Sequence, residues 1–359
     1  ANFQLYLGGS ISSTDSLVTT ADLSAMLIRE GGGYRTSVYG ANANYQGNWL
    51  LKTDFVDTNN TTITVGNNAT THTDARFGSG TIYIQGGGIQ GGGHVYNDIT
   101  IQTGNTGSFR NNDFNFYGTV SVDGTLRTTS ANSDELVIRG TLQGAGTIRN
   151  AKVTLANGGV LDPGRVGVTY YTESSHTYVP QADDLTGTLT LHGGLDISSG
   201  GMINFDILGG ADYDKVVLRE SSVTYGASPN TTTLNFSDDV DLTNATLQLS
   251  FGGDFDWETP SMSLLLIDTQ GTVTGLESAT VQYVLAPGAA AVGTLPDYMA
   301  AALSVTSDGV TLSLRAIPEP SSLMLLILGV TGVCWRRRRA VGPPAGRRQS
   351  GFPRGRHLV

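Results

Sequence analysis

The sequence predicts an all-β protein built as a parallel β-helix, and three observations support this. Glycine contributes 48 of the 359 residues and charged residues only 14%, a composition typical of many tight turns. No segment before residue 321 shows helical spacing of apolar residues over a convincing length. Short segments that alternate apolar and polar residues recur instead, at 81–84, 99–102, 119–122, 136–139, 153–155 and 188–191.

The alternating segments form a loose repeat. Ile82, Ile99, Val120, Val137 and Val153 lie 17, 21, 17 and 16 positions apart, with glycine-rich corners between them. A period of about 20 residues, with one or two short strands and a glycine or asparagine corner, is typical of a β-solenoid whose coils stack on each other. An antiparallel sandwich gives a similar strand spacing and stays as the alternative.

Five segments are expected along the chain. Because an open coil end would leave ladder groups unpaired, a β cap should close the solenoid near its C-terminal end. A polar insertion is expected at 165–186, and a short helix could form within 16–30. The segments are an irregular β N-terminal region (1–80), β-solenoid coils (81–186), the solenoid continuation with its cap (187–316), a C-terminal signal with a transmembrane helix (317–339) and a disordered basic tail (340–359).

The C-terminal signal has three parts, beginning with Pro318, Glu319 and Pro320. The prolines keep the preceding residues extended, so a helix begins only after them. The run that follows is uncharged to Trp335 and apolar on every side, which predicts a transmembrane helix through Leu323, Met324, Leu325, Leu326, Ile327, Leu328, Gly329 and Val330. The third part is a predicted cytoplasmic stop-transfer cluster of Arg336, Arg337, Arg338 and Arg339.

Length alone leaves a buried helix as an alternative for this run. Residues 321–335 would cover roughly 22 Å as a helix, against about 30 Å of hydrocarbon in a bilayer. The arginine cluster favours the membrane, because four consecutive guanidinium groups cannot be buried unpaired but can extend to the headgroups. The positive-inside rule then places residues 1–316 across the membrane from the arginines.

The net charge of −10 combines two opposite parts of the chain. Residues 317–359 contain eight arginines and one glutamate, a charge of +7, so residues 1–316 carry −17. An acidic body argues against binding to nucleic acid or to anionic lipid. The single cysteine, Cys334, lies in the apolar run, which excludes a disulfide framework and a cysteine zinc site.

No set of residues in the sequence has the pattern of a catalytic or metal site. Residues 86–91 fit G-x-G-x-x-G but lack a surrounding βαβ unit, and we interpret them as a coil corner. The paired acids at 183/184, 212/214, 238/239 and 254/256 lack calcium-loop spacing and are interpreted as solvated turns. His94, His176 and His192 are scattered. We therefore expect no catalytic residue, no metal ligand and no cofactor.

The order of Pro318-Glu319-Pro320, apolar run and arginine cluster resembles the C-terminal sorting signal of PEP-CTERM proteins of Gram-negative bacteria. Family signals usually stop just after the arginines, whereas this chain continues through 340–359. Segments 140–148 and 157–164 resemble the passenger coils of autotransporters and of autotransporter-like PEP-CTERM proteins. That second resemblance implies a right-handed parallel β-helix.

The resemblance implies an exported structural or adhesive protein of the cell surface or biofilm matrix, anchored by its C-terminal helix before processing and afterwards at the surface or secreted. The implied partners are an exosortase-type membrane transpeptidase, which recognises Pro318 to Pro320, and extracellular polysaccharide. The sequence begins at Ala1, and we expect a secretory signal peptide to lie outside it. The alternative is a polysaccharide lyase or hydrolase on the same scaffold, because such enzymes gather acidic and basic residues on one coil face.

Overall fold

The computed structural model describes residues 4–6, 26–29, 36–38, 48–51, 62–65, 80–91, 93–110, 114–129, 135–172, 174–175, 177–227, 229–252, 255–257, 261–285, 292–293, 295–296 and 299–317. Within these ranges every regular element is a strand, apart from one 3-10 turn at Leu276–Ser278. The predicted all-β class is confirmed.

Most strands belong to three sheets, and their labels follow chain order. Sheet 1 contains β1 (Gln4–Tyr6), β2 (Met26–Arg29), β4 (Trp49–Leu51), β6 (Ile82–Ile84), β9 (Ile99–Ile101), β12 (Thr119–Val122), β15 (Thr141–Gln143), β18 (Val160–Asp162), β23 (Met202–Ile207), β28 (Thr246–Phe251), β31 (Thr280–Val284) and β32 (Val292–Gly293). Sheet 2 contains β3 (Thr36–Val38), β5 (Thr62–Val65), β7 (Gly88–Gly91), β10 (Thr106–Arg110), β13 (Thr125–Thr128), β16 (Thr147–Arg149), β21 (Thr188–His192), β24 (Lys215–Leu218), β29 (Ser261–Asp268), β34 (Gly309–Ala316) and β33 (Met299–Thr306). Sheet 3 contains β8 (Gly93–Val95), β11 (Phe114–Phe116), β14 (Glu135–Ile138), β17 (Lys152–Leu155), β22 (Leu195–Asp196), β27 (Val240–Asp241) and β30 (Val273–Thr274).

From β6 to β31 the chain visits the three sheets in a fixed cycle, with one strand in each sheet per coil. Equivalent strands of successive coils pair in parallel, so that Ile82 pairs with Ile99 and Ile99 pairs with Val120. This order is that of a parallel β-solenoid, and the sandwich alternative is wrong. The right-handed winding stays a prediction.

The predicted repeat is correct for its first three members and wrong for the last two. Val137 and Val153 lie on sheet 3, where Val153 pairs with Leu136 while Val137 points outward. The sheet 1 partner of Val120 is Leu142, one coil further on. The misassignment arose because strands on all three sheets share the same two-residue alternation.

The described part of the N-terminal region continues the same ladders. β1, β2 and β4 lead into β6 on sheet 1, and β3 and β5 lead into β7 on sheet 2. Met26–Arg29 is a strand, where the sequence also allowed a short helix.

The interior of the solenoid is apolar and continuous. One cluster of buried side chains extends from Trp49 to Leu314, and its largest fully buried members include Phe109, Phe205 and Phe251. In β23, for example, Ile203, Phe205 and Ile207 point inward while the residues between them point outward. Burial of this apolar surface is the main favourable term in folding, and the alternation that produces it fixes which side chains face solvent.

Two antiparallel hairpins leave the solenoid at coil corners without breaking its register. The first, β19 (Thr169–Thr172) with β20 (Thr177–Pro180), follows β18 and corresponds to the predicted polar insertion. The second, β25 (Ser221–Ala227) with β26 (Asn230–Phe236), follows β24. Despite these excursions, Leu161 still pairs with Ile203 and Ile203 with Leu247.

The C-terminal end changes from parallel to antiparallel pairing. β32 pairs antiparallel with β31, and β34 lies between β29 and β33 with antiparallel partners on both sides. These strands lie where the sequence predicts a β cap, and their role in closing the solenoid stays a prediction. The predicted transmembrane helix lies outside the described residues; within the described residues, no helix is long and apolar enough to cross a membrane.

Close approach between coils is possible only where the corners carry glycine. Gly144 has a φ of +116°, and a Cβ added there would lie 2.2 Å from the carbonyl oxygen of Val122 in the preceding coil. Gly104 also has a positive φ, +82°, but a Cβ there would meet nothing within 4 Å. Alanine substitutions at Gly144 and Gly104 should therefore share the strain of a positive φ, and only the one at Gly144 should add a steric clash between coils.

We expect Gly144→Ala to lower the free energy of unfolding by about 2–5 kcal/mol, since strain at positive φ adds to overpacking against Val122. The control Gly104→Ala should lose only the conformational part, about 1–2 kcal/mol. Urea unfolding of both variants measures the difference. Equal losses would show that the coils can separate at this corner without cost.

Candidate functional site

The C-terminal exit of the chain lies at the end of a fully paired strand. Along β34, pairing with β33 runs from Gly309 opposite Thr306 to Ala316 opposite Met299. Ile317, the last described residue, is 43% exposed. Only Ile317 therefore separates the folded sheet from the Pro-Glu-Pro sequence, which leaves the body at its surface.

The predicted residues of the C-terminal signal lie outside the described residues, so their arrangement stays a prediction. They are the motif residues Pro318, Glu319 and Pro320, the apolar residues from Leu323 to Val330 and the cluster from Arg336 to Arg339.

The first hairpin folds back over the outer face of sheet 1. Tyr171 packs against Leu50 and Tyr83 in a small buried cluster of its own. The side chain of Gln102 donates a 3.0 Å hydrogen bond to the carbonyl of Tyr171, and Gln143 donates one of 3.2 Å to the carbonyl of Val166. The hairpin and the sheet enclose a polar cleft of about 190 Å³, lined mainly by Thr81, Asp98, Thr100, Thr119, Ser121 and Gln143.

Three carboxyl groups converge beside this covered face. Asp162 ends β18, Asp206 lies on β23 and Asp214 precedes β24, with carboxyl oxygens within 4.8 Å of one another. Asp214 is fully buried and accepts hydrogen bonds from the backbone N–H groups of Gly187 (2.7 Å) and Asp206 (2.8 Å). Oxygen ligands of this kind suit a hard cation such as Ca²⁺.

The same crowding favours protonation of the carboxyl groups. Burial, with the nearby charges of Asp206 and Asp162 adding to it, raises the pKa of Asp214 to about 9. Burial and the charge of Asp162 raise the pKa of Asp206 to about 6, and burial raises the pKa of Asp162. A shared proton therefore relieves the repulsion without a cation.

The interpretation of the paired acids as solvated turns is wrong for two of them. Asp214 is fully buried and Asp238 is 4% exposed, and Asp238 accepts a 3.0 Å hydrogen bond from the backbone N–H of Gln270. Asp183 and Asp239, which lie at the surface, do cap turns by accepting the N–H groups of Gly167 and Thr272. Sequence spacing did not group Asp162 with Asp206 and Asp214, because only the pairing of β18 with β23 across the first hairpin brings them together.

The second hairpin forms one wall of a charged groove on sheet 3. Two adjoining clefts of about 310 and 410 Å³ share Lys152, Gly194 and Ser237 in their lining. The Lys152 ammonium lies 3.4 Å from Glu135 Oε1 and 3.2 Å from Asp196 Oδ2. The remaining acidic lining residues are Asp239 and Asp241.

The contact between Lys152 and Asp196 favours the charged form of both side chains. Burial by itself would lower the pKa of Lys152, but the hydrogen bond that Lys152 donates to Asp196 and the charges of Glu135 and Asp196 outweigh it and raise the pKa. Burial likewise opposes ionisation of Asp196, but hydrogen bonds from Ser198 and from Lys152 lower its pKa. General acid–base catalysis needs a group that titrates near the working pH. The ion pairs that Lys152 makes are suited to holding sheet 3 together.

The glycine-rich segment at 86–91 runs into β7, whose partner is the parallel strand β10. The next described element is β8, also a strand, so no helix presents its N-terminus to a phosphate.

The fold and the exit of the chain define a class of protein: a parallel β-solenoid body that continues without a spacer into a C-terminal tripartite segment. A family model described as the PEP-CTERM protein-sorting motif matches residues 316–339, beginning at the last residue of β34. The chain thus carries a PEP-CTERM sorting signal, which implies an exported protein of the cell envelope or surface that is sorted by an exosortase, a membrane enzyme. No curated protein matches the chain.

The acid cluster predicts a stability that falls as pH rises. The pKa of Asp206 in the folded protein, about 6, lies above its value of about 3.9 in an unfolded chain. Its contribution is therefore fully present below pH 3.9 and is lost as pH rises through 6. The free energy of unfolding should therefore decrease with rising pH by about 1–2 kcal/mol less in Asp206→Asn than in the parent, allowing for partial solvent screening.

Urea unfolding at pH 4.5 and pH 7.5 measures the effect. Asp239→Asn is the control, because the N–H of Thr272 lowers the pKa of Asp239 and its contribution is constant between these pH values. Asp239→Asn should change the free energy of unfolding by the same amount at pH 4.5 and at pH 7.5. An unchanged pH dependence in Asp206→Asn would show that the pKa of Asp206 is not raised in the folded protein.

Proposed function

We propose that this chain is a structural or adhesive protein of the cell surface or biofilm matrix, delivered there by its sorting motif. The observation that carries the proposal is the direct continuation of β34 into the matched segment at residue 316. A spacer would let the body move independently of the membrane, whereas this connection holds the solenoid close to it until the motif is processed.

The proposed route begins with insertion of the apolar run from Leu323 to Val330 as a transmembrane helix. The arginines from Arg336 to Arg339, with the basic tail behind them, stay on the cytoplasmic side. The body then lies on the far side, and the exosortase-type transpeptidase recognises Pro318, Glu319 and Pro320. The exposure of Ile317 supports access of such an enzyme to the segment.

The structural role is supported by how the body is stabilised. Successive coils are joined by backbone ladders around one apolar core, and the sequence contains a single cysteine, so a disulfide within the chain contributes nothing. Such a body needs no reducing or oxidising environment to persist outside the cell. Extracellular polysaccharide is the proposed partner.

The alternative is a polysaccharide lyase or hydrolase, and the groove on sheet 3 is the feature that favours it. Glu135, Lys152 and Asp196 converge there, as the residues of such a site would. We propose that they do not catalyse, because Lys152 is paired on both sides and its pKa is raised, whereas a catalytic lysine base needs a lowered one.

The sorting proposal predicts that Pro318→Ala, Glu319→Ala and Pro320→Ala together block processing. The apolar run and the arginines remain, so the protein should insert and accumulate unprocessed in the membrane. The control is Ser321→Ala with Ser322→Ala, which keeps the Pro-Glu-Pro sequence. The C-terminal residue of the exported protein, determined by mass spectrometry in the native host, reports the outcome. Processing of the triple variant at the parent's position would show that the motif is not what the enzyme recognises.

We also expect the full chain to release no reducing or unsaturated ends from acidic polysaccharides, because Lys152 is held in ion pairs that raise its pKa and disfavour its action as a base. Incubation with polygalacturonate, followed by ultraviolet and reducing-end assays, tests this. Activity that is lost in Lys152→Ala would establish the enzyme instead.

A further inference from the structure

A column of basic side chains runs along the outer face of sheet 2. Arg127 pairs with Arg149, and Arg149 pairs with His192, in successive coils. Arg219 continues the column, because its N–H bonds to the carbonyl of Leu191. We call these four residues the basic column. Adjacent rungs of a sheet are about 4.8 Å apart, so the column is about 14 Å long.

The basic column contrasts with the body as a whole, since residues 1–316 carry a net charge of −17. Arg149 is exposed, and within the described part of the chain no carboxylate forms an ion pair with it. Arg219 makes one ion pair, 2.9 Å from Asp268 Oδ1. Burial, together with the charges of Arg149 and Arg219, lowers the pKa of His192, so this side chain contributes a neutral ring to the column at pH 7.

A row of hydroxyl groups lies beside the basic column on the same face. These four residues, the threonine row, pair in register along the sheet and are partly exposed: Thr106, Thr125, Thr147 and Thr190. The last three lie two residues before Arg127, Arg149 and His192. Thr106 extends the row one strand beyond the column. The second hairpin borders the column on the other side, where Ser221 donates a hydrogen bond to the carbonyl of His192 and Tyr225 donates one to that of Thr128. The face therefore offers cations and hydroxyls in two parallel rows beside a wall.

Like charges opposite each other on neighbouring strands destabilise a sheet. An anionic chain laid along the column would offset that repulsion and would stabilise the folded state by binding to it. We propose that the basic column and the threonine row form a binding site for a linear acidic polysaccharide, with carboxylates on the arginines and sugar hydroxyls on the threonines.

The arrangement favours a polyuronate over nucleic acid. Duplex DNA carries one charge per about 1.7 Å of axis, a far denser charge than the three arginines spread over the four rungs of the column. Because of this higher charge density, its phosphates would also be repelled more strongly by the acidic remainder of the body than the more widely spaced carboxylates of a polyuronate. A uronate polymer carries one carboxylate on each sugar ring, which suits the arginines of the basic column. Its many hydroxyl groups suit the threonine row. The inference deepens the proposed function by naming the polysaccharide class and its site.

The test uses the full chain purified in a mild detergent and polygalacturonate as the probe, with binding measured by calorimetry at low and at physiological salt. We expect the parent to bind, and to bind more weakly as salt increases. Arg149→Gln should bind about five- to tenfold more weakly, since a contact between opposite charges near the surface is worth on the order of 1 kcal/mol or slightly more. Arg149→Lys should keep most of the affinity.

Arg139→Gln is the matched control, because it removes one exposed arginine from outside sheet 2. It should bind within about twofold of the parent, since exposed charges more than about 8 Å apart are largely screened at physiological salt. Highly methyl-esterified polygalacturonate has the same backbone without the charge and should bind much more weakly than the acid form. A rise of the melting temperature on adding polygalacturonate should accompany binding, and this rise should be smaller in Arg149→Gln.

Three results would overturn the inference: no binding by the parent, equal binding by Arg149→Gln and Arg139→Gln, or tighter binding to duplex DNA than to polygalacturonate. None of them bears on sorting, which is read at Pro318 to Pro320. Conversely, failure of the processing experiment would leave the binding result intact.

Discussion

A coil of this solenoid can satisfy its backbone N–H and C=O groups only through the coils before and after it. That requirement fixes the register of every strand, and the register stacks like positions on like: Ile82 on Ile99 inside, Arg127 on Arg149 outside. The apolar core, the glycine corners, the acid cluster and the basic column all follow from this one requirement. A residue's neighbours in space are set by its place on the coil, and they lie one coil away in sequence.

The sequence predicts features that are local in the chain, and it does not predict those that depend on how the coils stack. The alternation at Ile82 and the order of Pro318-Glu319-Pro320 could be predicted, because the residues of each pattern are adjacent in the chain. The assignment of Val137 failed because alternation shows which side chains point inward but not which of the three sheets a strand joins. The sequence could not predict that Asp162 and Asp206 lie close together, because their proximity depends on how the chain returns to sheet 1 after the first hairpin.

Net charge describes the body poorly, because charges on different faces do not cancel. The groove on sheet 3 gathers acidic groups around Lys152, whereas sheet 2 presents Arg149 without an ion-pair partner among the described residues. Screening at physiological salt extends over about 8 Å, so opposite charges on different faces act separately. The acidic total excludes a uniformly basic surface and still allows a local one.

The two hairpins depart from corners between paired strands, and the chain resumes its register after each. Leu161 pairs with Ile203, and Ile203 with Leu247, as though the intervening segments were absent. Each doubling of such an insertion adds only about 0.6 kcal/mol of loop-closure cost. Coil corners are therefore sites where the lineage can gain or lose whole surface modules while every buried side chain stays the same. The hairpins inserted at coil corners can therefore vary during evolution while the apolar core is inherited unchanged.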